Sequence, residues 1–521
     1  MSSSRSNTST QADPATRAAI PQTTQAVEEA RQAIAAEAAV AVGEPGAAQP
    51  AQSPQVYDVV VIGGGPAGEN AAQYAIQGTD MTAAVVEGEL LGGECSYFAC
   101  MPSKALLRPL EVAAASRSLP GLRPAELDVP ALLARRDAWS SHYDDAGQVR
   151  WAQGAGIAVM RGWGRLDGER RVVVGGPEGE RVLEARQAVV LATGSRPALP
   201  GPLGQVAPWD SRDVTAVREV PERLLIVGGG VVACEAATWM SALGSEVTML
   251  VRRRLLSTSE PFASQIVAES LAEAGVRVVT GAQVSDCTRP QVEAEPVLGR
   301  LHGGPVSVTC GQEVHEADEI LVATGRRPLL EGIGLESVGL SAEDVASGRL
   351  PQWLYVVGDA STGAPLTHMG KYQARVAGER IAALAAGRTP QEAPETVPVP
   401  RVVFTDPQVA TTGLTEAQAR DAGLEVVTAE LGYTSAAGAA LLRDDAHGQA
   451  KLVVDRATRA VVGATFVGPE AGELIHAATI AIVGQVPVER LRHAVPAFPT
   501  ASEIWLRLIE SLPTEVLRPA Q

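Results

Sequence analysis

Cysteine is scarce in this chain of 521 residues, which has five, at positions 95, 100, 234, 287 and 310. So small a number excludes a disulfide framework, and one close pair is typical of redox chemistry or metal binding in a reducing compartment. No apolar run is long enough to span a membrane, and the N-terminus lacks the charged start and apolar stretch of a secretory signal. We therefore expect a cytoplasmic protein without a membrane partner.

Positive charge and aromatic side chains are also in short supply. Lys and Arg number 43 against 60 Asp and Glu, which gives a net charge of −17, and aromatic residues make up 4%. A surface of this sign repels nucleic acid and anionic membranes, so a nucleotide cofactor must be held by local features. The hydrophobic fraction of 45% permits sizeable cores. The length predicts about three or four domains.

A glycine-rich turn follows the first apolar run. Residues 57–62 are typical of a buried strand, and Gly63, Gly65 and Gly68 follow with the spacing of a turn that opens a helix. An acidic residue, Glu87, ends the next predicted strand, 24 positions after Gly63. Such glycines let the backbone approach a pyrophosphate, and the carboxylate can accept hydrogen bonds from ribose hydroxyls. The pattern predicts a dinucleotide site; the alternative is an ordinary tight turn.

The same unit recurs later in the chain. A predicted strand over 223–227 precedes Gly228 and Gly230, and Arg252 stands 24 positions after Gly228, with Arg253 next to it. Arginine at that place suits a ribose 2′-phosphate, whereas an acidic residue suits a free hydroxyl. The alternative is a solvated basic cluster after a strand. We expect NADPH here in preference to NADH.

Two further strand exits flank the second unit. Thr193 and Gly194 lie in one Ala-Thr-Gly loop, and Gly325 lies in a matching loop after the unit. This symmetry predicts a nicotinamide-binding domain inserted into a discontinuous flavin-binding domain. Gly358 and Asp359 end another predicted strand and suit a contact with a flavin ribityl chain or phosphate.

The close cysteine pair follows the first turn directly. Cys95 and Cys100 have four residues between them, which places two thiols one short loop from a nucleotide. That arrangement favours a flavin that exchanges electrons with a reversible disulfide. The alternatives are a zinc half-site or two inert buried thiols. Zinc needs four ligands and no second Cys/His cluster has a matching spacing, so we expect no metal site.

These motifs resemble the class I pyridine nucleotide-disulfide oxidoreductases, the family of glutathione reductase, dihydrolipoamide dehydrogenase and mercuric reductase. The resemblance extends from residue 56 to about 510 and rests on the segment 95–104, the two Ala-Thr-Gly loops, Gly358-Asp359 and the segment 402–407. It implies an α/β fold with two Rossmann-like dinucleotide-binding domains, for FAD and NAD(P), and a C-terminal α+β dimerisation domain. It also implies a homodimer whose active site is shared between subunits.

The resemblance implies domain limits and residue roles. Cys100 would be the thiol next to the flavin and Cys95 the interchange thiol that meets substrate, while Lys104 and Glu235 would form an ion pair beside the flavin. The expected divisions are a disordered low-complexity tail (1–55), the first part of the FAD domain (56–205), the NAD(P) domain (206–320), the second part of the FAD domain (321–395) and the dimerisation domain (396–521).

The C-terminal segment departs from the family pattern. The family's histidine, which deprotonates the interchange thiol, is replaced by Phe498, although the glutamate that would orient it is retained as Glu503. A phenyl ring cannot transfer a proton, which argues against glutathione and dihydrolipoamide as substrates. Mercuric reductases resemble the chain here, but they have a C-terminal cysteine pair, and no cysteine follows Cys310. The sequence therefore supports metal reduction only weakly.

The cysteine loop departs from the pattern as well. Glu94 precedes Cys95 and Tyr97 follows it, where the family has Thr and other residues. A carboxylate near Cys95 would raise the pKa of that thiol or relay a proton, and Tyr97 could donate one. The alternative is that both side chains only line the pocket.

The leading hypothesis is an FAD- and NADPH-dependent oxidoreductase that acts on a small disulfide or dithiol through Cys95. The first alternative is direct transfer from flavin to a quinone, a metal ion or oxygen. The second is a non-enzymatic redox-sensing flavoprotein. The presence of two dinucleotide motifs argues against the sensor, which would not need a second cofactor site.

Overall fold

The computed structural model describes residues 53–176, 179–394 and 397–517. The predicted tail lies outside them except for its last three residues. The strands are β1 (Gln55–Ile62), β2 (Ala83–Glu87), β3 (Ile157–Arg161), β4 (Trp163–Leu166), β5 (Arg171–Gly176), β6 (Gly179–Leu191), β7 (Ser195–Pro197), β8 (Arg223–Val227), β9 (Glu246–Val251), β10 (Arg277–Thr280), β11 (Val284–Thr288), β12 (Val306–Cys310), β13 (Glu313–Ala317), β14 (Glu319–Val322), β15 (Arg326–Pro328), β16 (Leu354–Val356), β17 (Arg401–Val403), β18 (Gln408–Gly413), β19 (Val426–Gly432), β20 (Gln449–Asp455) and β21 (Val461–Gly468).

The α-helices lie between groups of these strands and after the last one. They are α1 (Pro66–Ile76), α2 (Gly93–Tyr97), α3 (Cys100–Arg117), α4 (Val129–Trp139), α5 (Ala146–Gly154), α6 (Ser211–Thr215), α7 (Val231–Ala242), α8 (Pro261–Glu273), α9 (Ala342–Ala346), α10 (Thr367–Ala385), α11 (Glu416–Asp421), α12 (Ala437–Ala440), α13 (Ala471–Val483), α14 (Val488–Leu491), α15 (Glu503–Glu510) and α16 (Thr514–Leu517). No helix of the described residues is long and apolar enough to cross a membrane.

The first sheet has the strand order β3-β2-β1-β6-β5-β4, and β16 pairs with β6 from outside this path. Strands β1, β2, β3 and β16 join it in parallel pairs, while β4, β5 and β6 are antiparallel neighbours. Val59, Val60 and Val61 of β1 are fully buried. A continuous apolar run of this kind is expected of a parallel strand covered on both faces.

The second parallel sheet has the order β10-β9-β8-β14 and is built from residues between β6 and β16. Its core includes Ile226, Met249 and Leu321, with the fully buried indole of Trp239 packed among them. Beside it, β11, β12 and β13 form a three-stranded antiparallel sheet. The first sheet therefore contains strands that precede the second sheet in the sequence (β1 to β6) and one that follows it (β16). The predicted limits of the domains remain a prediction.

The C-terminal sheet is antiparallel, with the order β17-β18-β21-β20-β19. Buried side chains from it and from the last helices form a separate core, which includes Tyr433, Phe466 and Leu508. The two units built on parallel strands, followed by this α+β unit, confirm the predicted fold class.

Helices α1 and α10 pack closely against each other through residues without large side chains. A Cβ atom added to Gly378 would come within 2.7 Å of Tyr74 Cβ, and one added to Gly370 would lie 3.5 Å from Ala67 Cβ. These contacts bring the first turn of α10 next to the first turn of α1, beside the nucleotide-binding turn.

Candidate active site

Most of the predicted nucleotide-binding residues lie at one edge of the parallel strands in the first two sheets. Gly63, Gly228 and Gly230 follow β1 and β8, and the others likewise lie at or just after the carboxyl end of a parallel strand. In open α/β sheets this edge is where ligands bind. These others are Glu87 (β2), Thr193 and Gly194 (β6), Arg252 and Arg253 (β9), Gly325 (β14), and Gly358 and Asp359 (β16).

The first glycine turn has the shape of a dinucleotide cradle. Gly63 has φ +102°, and a Cβ atom there would collide with the carbonyl oxygen of Ala192. A Cβ atom on Gly68 would collide with the carbonyl of Gly63, whereas one on Gly65 would meet nothing closer than Gly93 Cα at 3.9 Å. Two glycines thus close the turn, and the third leaves open space at the N-terminus of α1. These residues fit the pyrophosphate of FAD.

The acidic residue at the end of β2 is fixed against the same turn. Glu87 Oε2 accepts a hydrogen bond from the Gly64 N–H at 2.7 Å, and Oε1 accepts one from the Glu89 N–H at 2.7 Å. Burial raises the pKa of Glu87 above its ordinary value. The carboxylate is therefore placed beside the cradle, as a ribose-binding residue requires, and that role stays a prediction.

The two Ala-Thr-Gly loops meet each other. Strands β7 and β15 form an antiparallel ribbon in which Pro197 pairs with Arg326. The Ser195 hydroxyl donates to Asp359 Oδ2 at 2.7 Å and accepts from Arg326 Nε at 2.7 Å. Thr193 Oγ1 donates to the Leu329 carbonyl at 2.6 Å. The sequence predicted matching exits but gave no sign that the two segments pair.

The second glycine turn leaves its basic residues accessible. A Cβ atom on Gly228 would collide with the carbonyl of Ala323, as in the first turn. Arg252 and Arg253 have exposed side chains, and neither forms an ion pair with a carboxylate of the described residues. Both guanidinium groups are therefore available to an anionic ligand.

The two cysteines lie in consecutive helices. Cys95 is in α2 and Cys100 is the first residue of α3, and both are half-buried free thiols. Cys100 Sγ lies 3.3 Å from Thr367 Oγ1 in the first turn of α10. No group of three or more His, Cys, Asp and Glu side chains in the described part of the chain could hold a metal ion. Thr367 is separated from Cys100 by 267 positions and carries no motif, so the sequence did not point to it.

The two thiols have opposite pKa shifts. A hydrogen bond from Cys95, with smaller contributions from the Thr367 hydroxyl and the Lys104 ammonium, lowers the pKa of Cys100 to about 6 against the effect of burial. The position of Cys100 at a helix N-terminus acts in the same direction. The same hydrogen bond, together with burial, raises the pKa of Cys95. In the reduced pair, Cys100 is therefore the thiolate and Cys95 keeps its proton.

Lys104 and Glu235 form an ion pair beside Cys100. Lys104 Nζ lies 2.7 Å from Glu235 Oε2, and the Glu235 side chain is buried. Glu235 Oε1 also accepts from the Phe404 N–H at 3.0 Å, and Lys104 Nζ lies 4.8 Å from the centroid of the Phe404 ring. The ammonium is thus held one helical turn after Cys100, where it favours a thiolate.

Glu94 is engaged by two arginines. Its Oε1 accepts from Arg212 Nε at 2.9 Å, and its Oε2 accepts from an Arg326 Nη at 2.6 Å. Arg212 also binds Glu89 and lies over the Phe98 ring. This arrangement favours the pocket-wall interpretation of Glu94 over a proton relay. Arg212 was not singled out by the sequence, because no motif marks helix α6.

Tyr97, Phe498 and Glu503 form no hydrogen bond to the thiols among the described residues. Tyr97 donates its hydroxyl proton to the Leu91 carbonyl at 3.0 Å, and burial raises its pKa. Phe498 is 77% exposed. Glu503 is buried at the start of α15 and accepts from the Gly438 N–H at 3.4 Å. In the described residues, none of these three side chains has a hydrogen bond to either cysteine, so their predicted roles remain predictions.

Known proteins share this fold and these motifs. The family model for pyridine nucleotide-disulphide oxidoreductases matches residues 57–374, and the model for the dimerisation domain of that family matches residues 399–509. The chain is 33% identical to a dihydrolipoyl dehydrogenase of Thermus scotoductus over 88% of its length and 98% of the relative's. It is 30% identical to a mercuric reductase of Staphylococcus aureus over 86% of its length and 81% of the relative's.

A solved structure has the same fold as this chain. The crystal structure of LpdA from Mycobacterium tuberculosis superposes with a TM-score of 0.75 at 25% identity, and covers 88% of this chain and 99% of that one. The family implies FAD and a nicotinamide nucleotide, and its dimerisation domain supports a homodimer. The chain therefore belongs to the pyridine nucleotide-disulphide oxidoreductase family, whose members are flavoprotein enzymes of the disulfide-reductase type.

Proposed function

We propose that this enzyme transfers electrons from NADPH through FAD to the Cys95–Cys100 pair and from there to a small disulfide. The observation that carries the proposal is the opposite pKa shift of the two thiols, which makes them chemically different. When bound in the cradle at Gly63–Gly68, FAD would supply two-electron transfer between the nicotinamide and the cysteine disulfide.

Each cysteine has its own step in the exchange. The Cys95 sulfur, once deprotonated, attacks one sulfur of the substrate disulfide, and the other substrate sulfur leaves as a thiolate. Cys100 then attacks Cys95 in the mixed disulfide, which releases the second substrate thiolate and closes the Cys95–Cys100 disulfide. The Thr367 hydroxyl and the Lys104 ammonium favour the Cys100 thiolate that this second attack requires.

The residue at position 498 narrows the substrate class. In a homodimer formed by the dimerisation domain, the exposed phenyl ring of Phe498 would lie in the active site of the other subunit. A phenyl ring has no proton to give to a leaving thiolate. Disulfides whose thiolates leave easily without protonation should therefore react best. Dihydrolipoyl substrates, which are named in one group of relatives, fit this site less well.

The acceptor can be identified by anaerobic oxidation of NADPH. The purified holoenzyme is mixed with NADPH and one acceptor from a series of aromatic and aliphatic disulfides, quinones and Hg(II). We expect turnover with disulfides, fastest with aromatic ones because their thiols have low pKa values. Turnover with quinones or Hg(II) but with no disulfide would contradict the proposal.

Direct transfer from flavin to a quinone or metal ion is the second candidate. The observation that favours it is the replacement of the base by Phe498, since hydride or electron transfer to a quinone needs no thiol deprotonation. Mercuric reductase is the name of several relatives. The absence of cysteine after Cys310 in this chain argues against Hg(II) delivery through C-terminal thiols.

The preference for NADPH can be tested with Arg252→Glu. We expect the KM for NADPH to rise about 10- to 100-fold, because a hydrogen bond to a charged group contributes about 1.5–3 kcal/mol. The KM for NADH should stay within about twofold, since the free 2′-hydroxyl makes no contact that depends on the positive charge. Arg277→Glu, at the start of β10, is the matched control. Equal losses with both nucleotides in Arg252→Glu would show that Arg252 does not select NADPH.

A further inference from the structure

Lysine is rare in this chain, and one of its lysines has no ion-pair partner among the described residues. Only three of the 43 basic residues are lysine. Lys104 pairs with Glu235, and Lys451 pairs with Glu416 at 2.7 Å. Lys371 has an exposed side chain and forms no ion pair with a carboxylate of the described residues.

Lys371 lies on the face of helix α10 whose first turn adjoins the cysteine pair. The helix begins at Thr367, whose hydroxyl lies 3.3 Å from Cys100 Sγ and lowers the pKa of both thiols by hydrogen bonding. Lys371 is one turn further on, and side chains four residues apart lie on the same helix face. Helical side chains also lean towards the N-terminus, so that of Lys371 leans over the turn that contains Thr367.

A buried carboxyl group lies on the neighbouring helix. Glu69 is in the first turn of α1, which packs on α10 through Ala67 and Gly370, and it accepts a hydrogen bond from Gln148 Nε2 at 3.0 Å. Burial raises the pKa of Glu69 to about 7, and the Lys371 ammonium opposes this rise. The same ammonium lowers the pKa of Cys95. The positive charge on α10 therefore acts on a thiol in α2 and on a carboxyl in α1.

The groups around Cys95 described so far do not explain how its thiol is deprotonated. It must lose its proton to react, yet its hydrogen bond to Cys100 and its burial both keep the proton in place. Phe498 stands where a base would be expected.

We propose that Lys371 activates Cys95 by stabilising its thiolate, in place of the missing base. The inference rests on the proposed role of Cys95 as interchange thiol. The S–H bond breaks with its electron pair left on sulfur, and the proton passes to solvent water. Lys371 takes no proton itself, because it stays charged throughout.

The charges around Cys95 determine the sign of the expected effects. Lys371 favours its thiolate, whereas the Cys100 thiolate opposes it; Lys104 and Glu235 act on Cys100. Removal of the positive charge should raise the pKa of Cys95.

The test is the rate at which neutral iodoacetamide alkylates Cys95. It is measured against pH on the reduced holoenzyme in a Cys100→Ser background, and modification is followed by mass spectrometry of the peptide. We expect Lys371→Met to slow alkylation about three- to tenfold at pH 8, a modest effect because the ammonium is exposed to solvent. Lys371→Arg should retain most of the alkylation rate. Added salt should slow alkylation only in the proteins that have a positive charge at position 371, namely Lys371 or its arginine replacement.

Arg375→Met is the matched control, since Arg375 is exposed one turn further along α10 and its loss changes the net charge equally. An unchanged pH profile in both Lys371→Met and Lys371→Gln would overturn the proposal, as would an equal slowing in Arg375→Met. Far-ultraviolet circular dichroism shows that each variant is folded. Alkylation needs no turnover, so a failure of Lys371 is distinguishable from a failure of the proposed disulfide route.

Discussion

The Cys100→Ser variant is expected to lose NADPH-dependent disulfide reduction by at least about 10³-fold. Cys100 has the lowered pKa of the pair, so it is the thiolate that must attack the mixed disulfide formed at Cys95. A serine hydroxyl cannot take that role, and the enzyme should accumulate substrate bound to Cys95. Steady-state NADPH oxidation and the intact mass of the protein after turnover measure the two effects.

A second thiol outside the site provides the control. Cys310→Ser, at the end of β12, should leave disulfide turnover unchanged. In Cys100→Ser, turnover of quinones by direct transfer should persist. If Cys100→Ser keeps its disulfide turnover, the cysteine route is wrong and direct transfer from the flavin becomes the better account.

The pH dependence of disulfide turnover follows from the lowered pKa of Cys100. Because the pKa of Cys100 is lowered to about 6, its thiolate is present at pH 7 and is lost as the pH falls through about 6. Disulfide turnover should therefore decline below pH 6 even where the fold is stable.

The backbone requirements of the site could be predicted from the sequence. Gly63 and Gly68 are needed because a Cβ atom would collide with a carbonyl group, and such a need appears as a fixed glycine spacing. The distance of 24 residues to Glu87 reflects one helix and one strand, which local periodicity also reveals. Repetition of this unit at Gly228 then predicted the second parallel sheet.

The tertiary surroundings of the thiols could not be predicted in the same way. Thr367 and Lys371 come from a helix more than 260 positions after Cys100, and no local period links these segments. The arginines that bind Glu94 likewise come from two remote segments. The sequence therefore predicted the two thiols as the reactive groups, while the groups that set their pKa values depend on how distant elements pack.

The Phe498→His variant is expected to gain activity. An imidazole would take the proton of Cys95 and return it to the leaving thiolate, and general acid–base catalysis of this kind contributes about 10²–10⁴-fold. Glu503 is still present and buried five residues later, ready to orient the ring. Because the surrounding residues do not position an imidazole in advance, we expect a gain at the lower end of this range, about 10²-fold in kcat/KM for aliphatic disulfides.

The gain should depend on the leaving group, which makes the test specific. A disulfide whose thiol has a low pKa leaves without protonation, so aromatic disulfides should gain less than about threefold, and the dependence of kcat/KM on leaving-group pKa should flatten. Phe498→Leu controls for loss of the ring, and Phe498→His/Glu503→Gln should lose most of the gain. An equal change for aliphatic and aromatic disulfides would mean that position 498 affects binding, not proton transfer. A gain confined to aliphatic disulfides would identify thiol protonation as the step that the phenylalanine leaves unassisted.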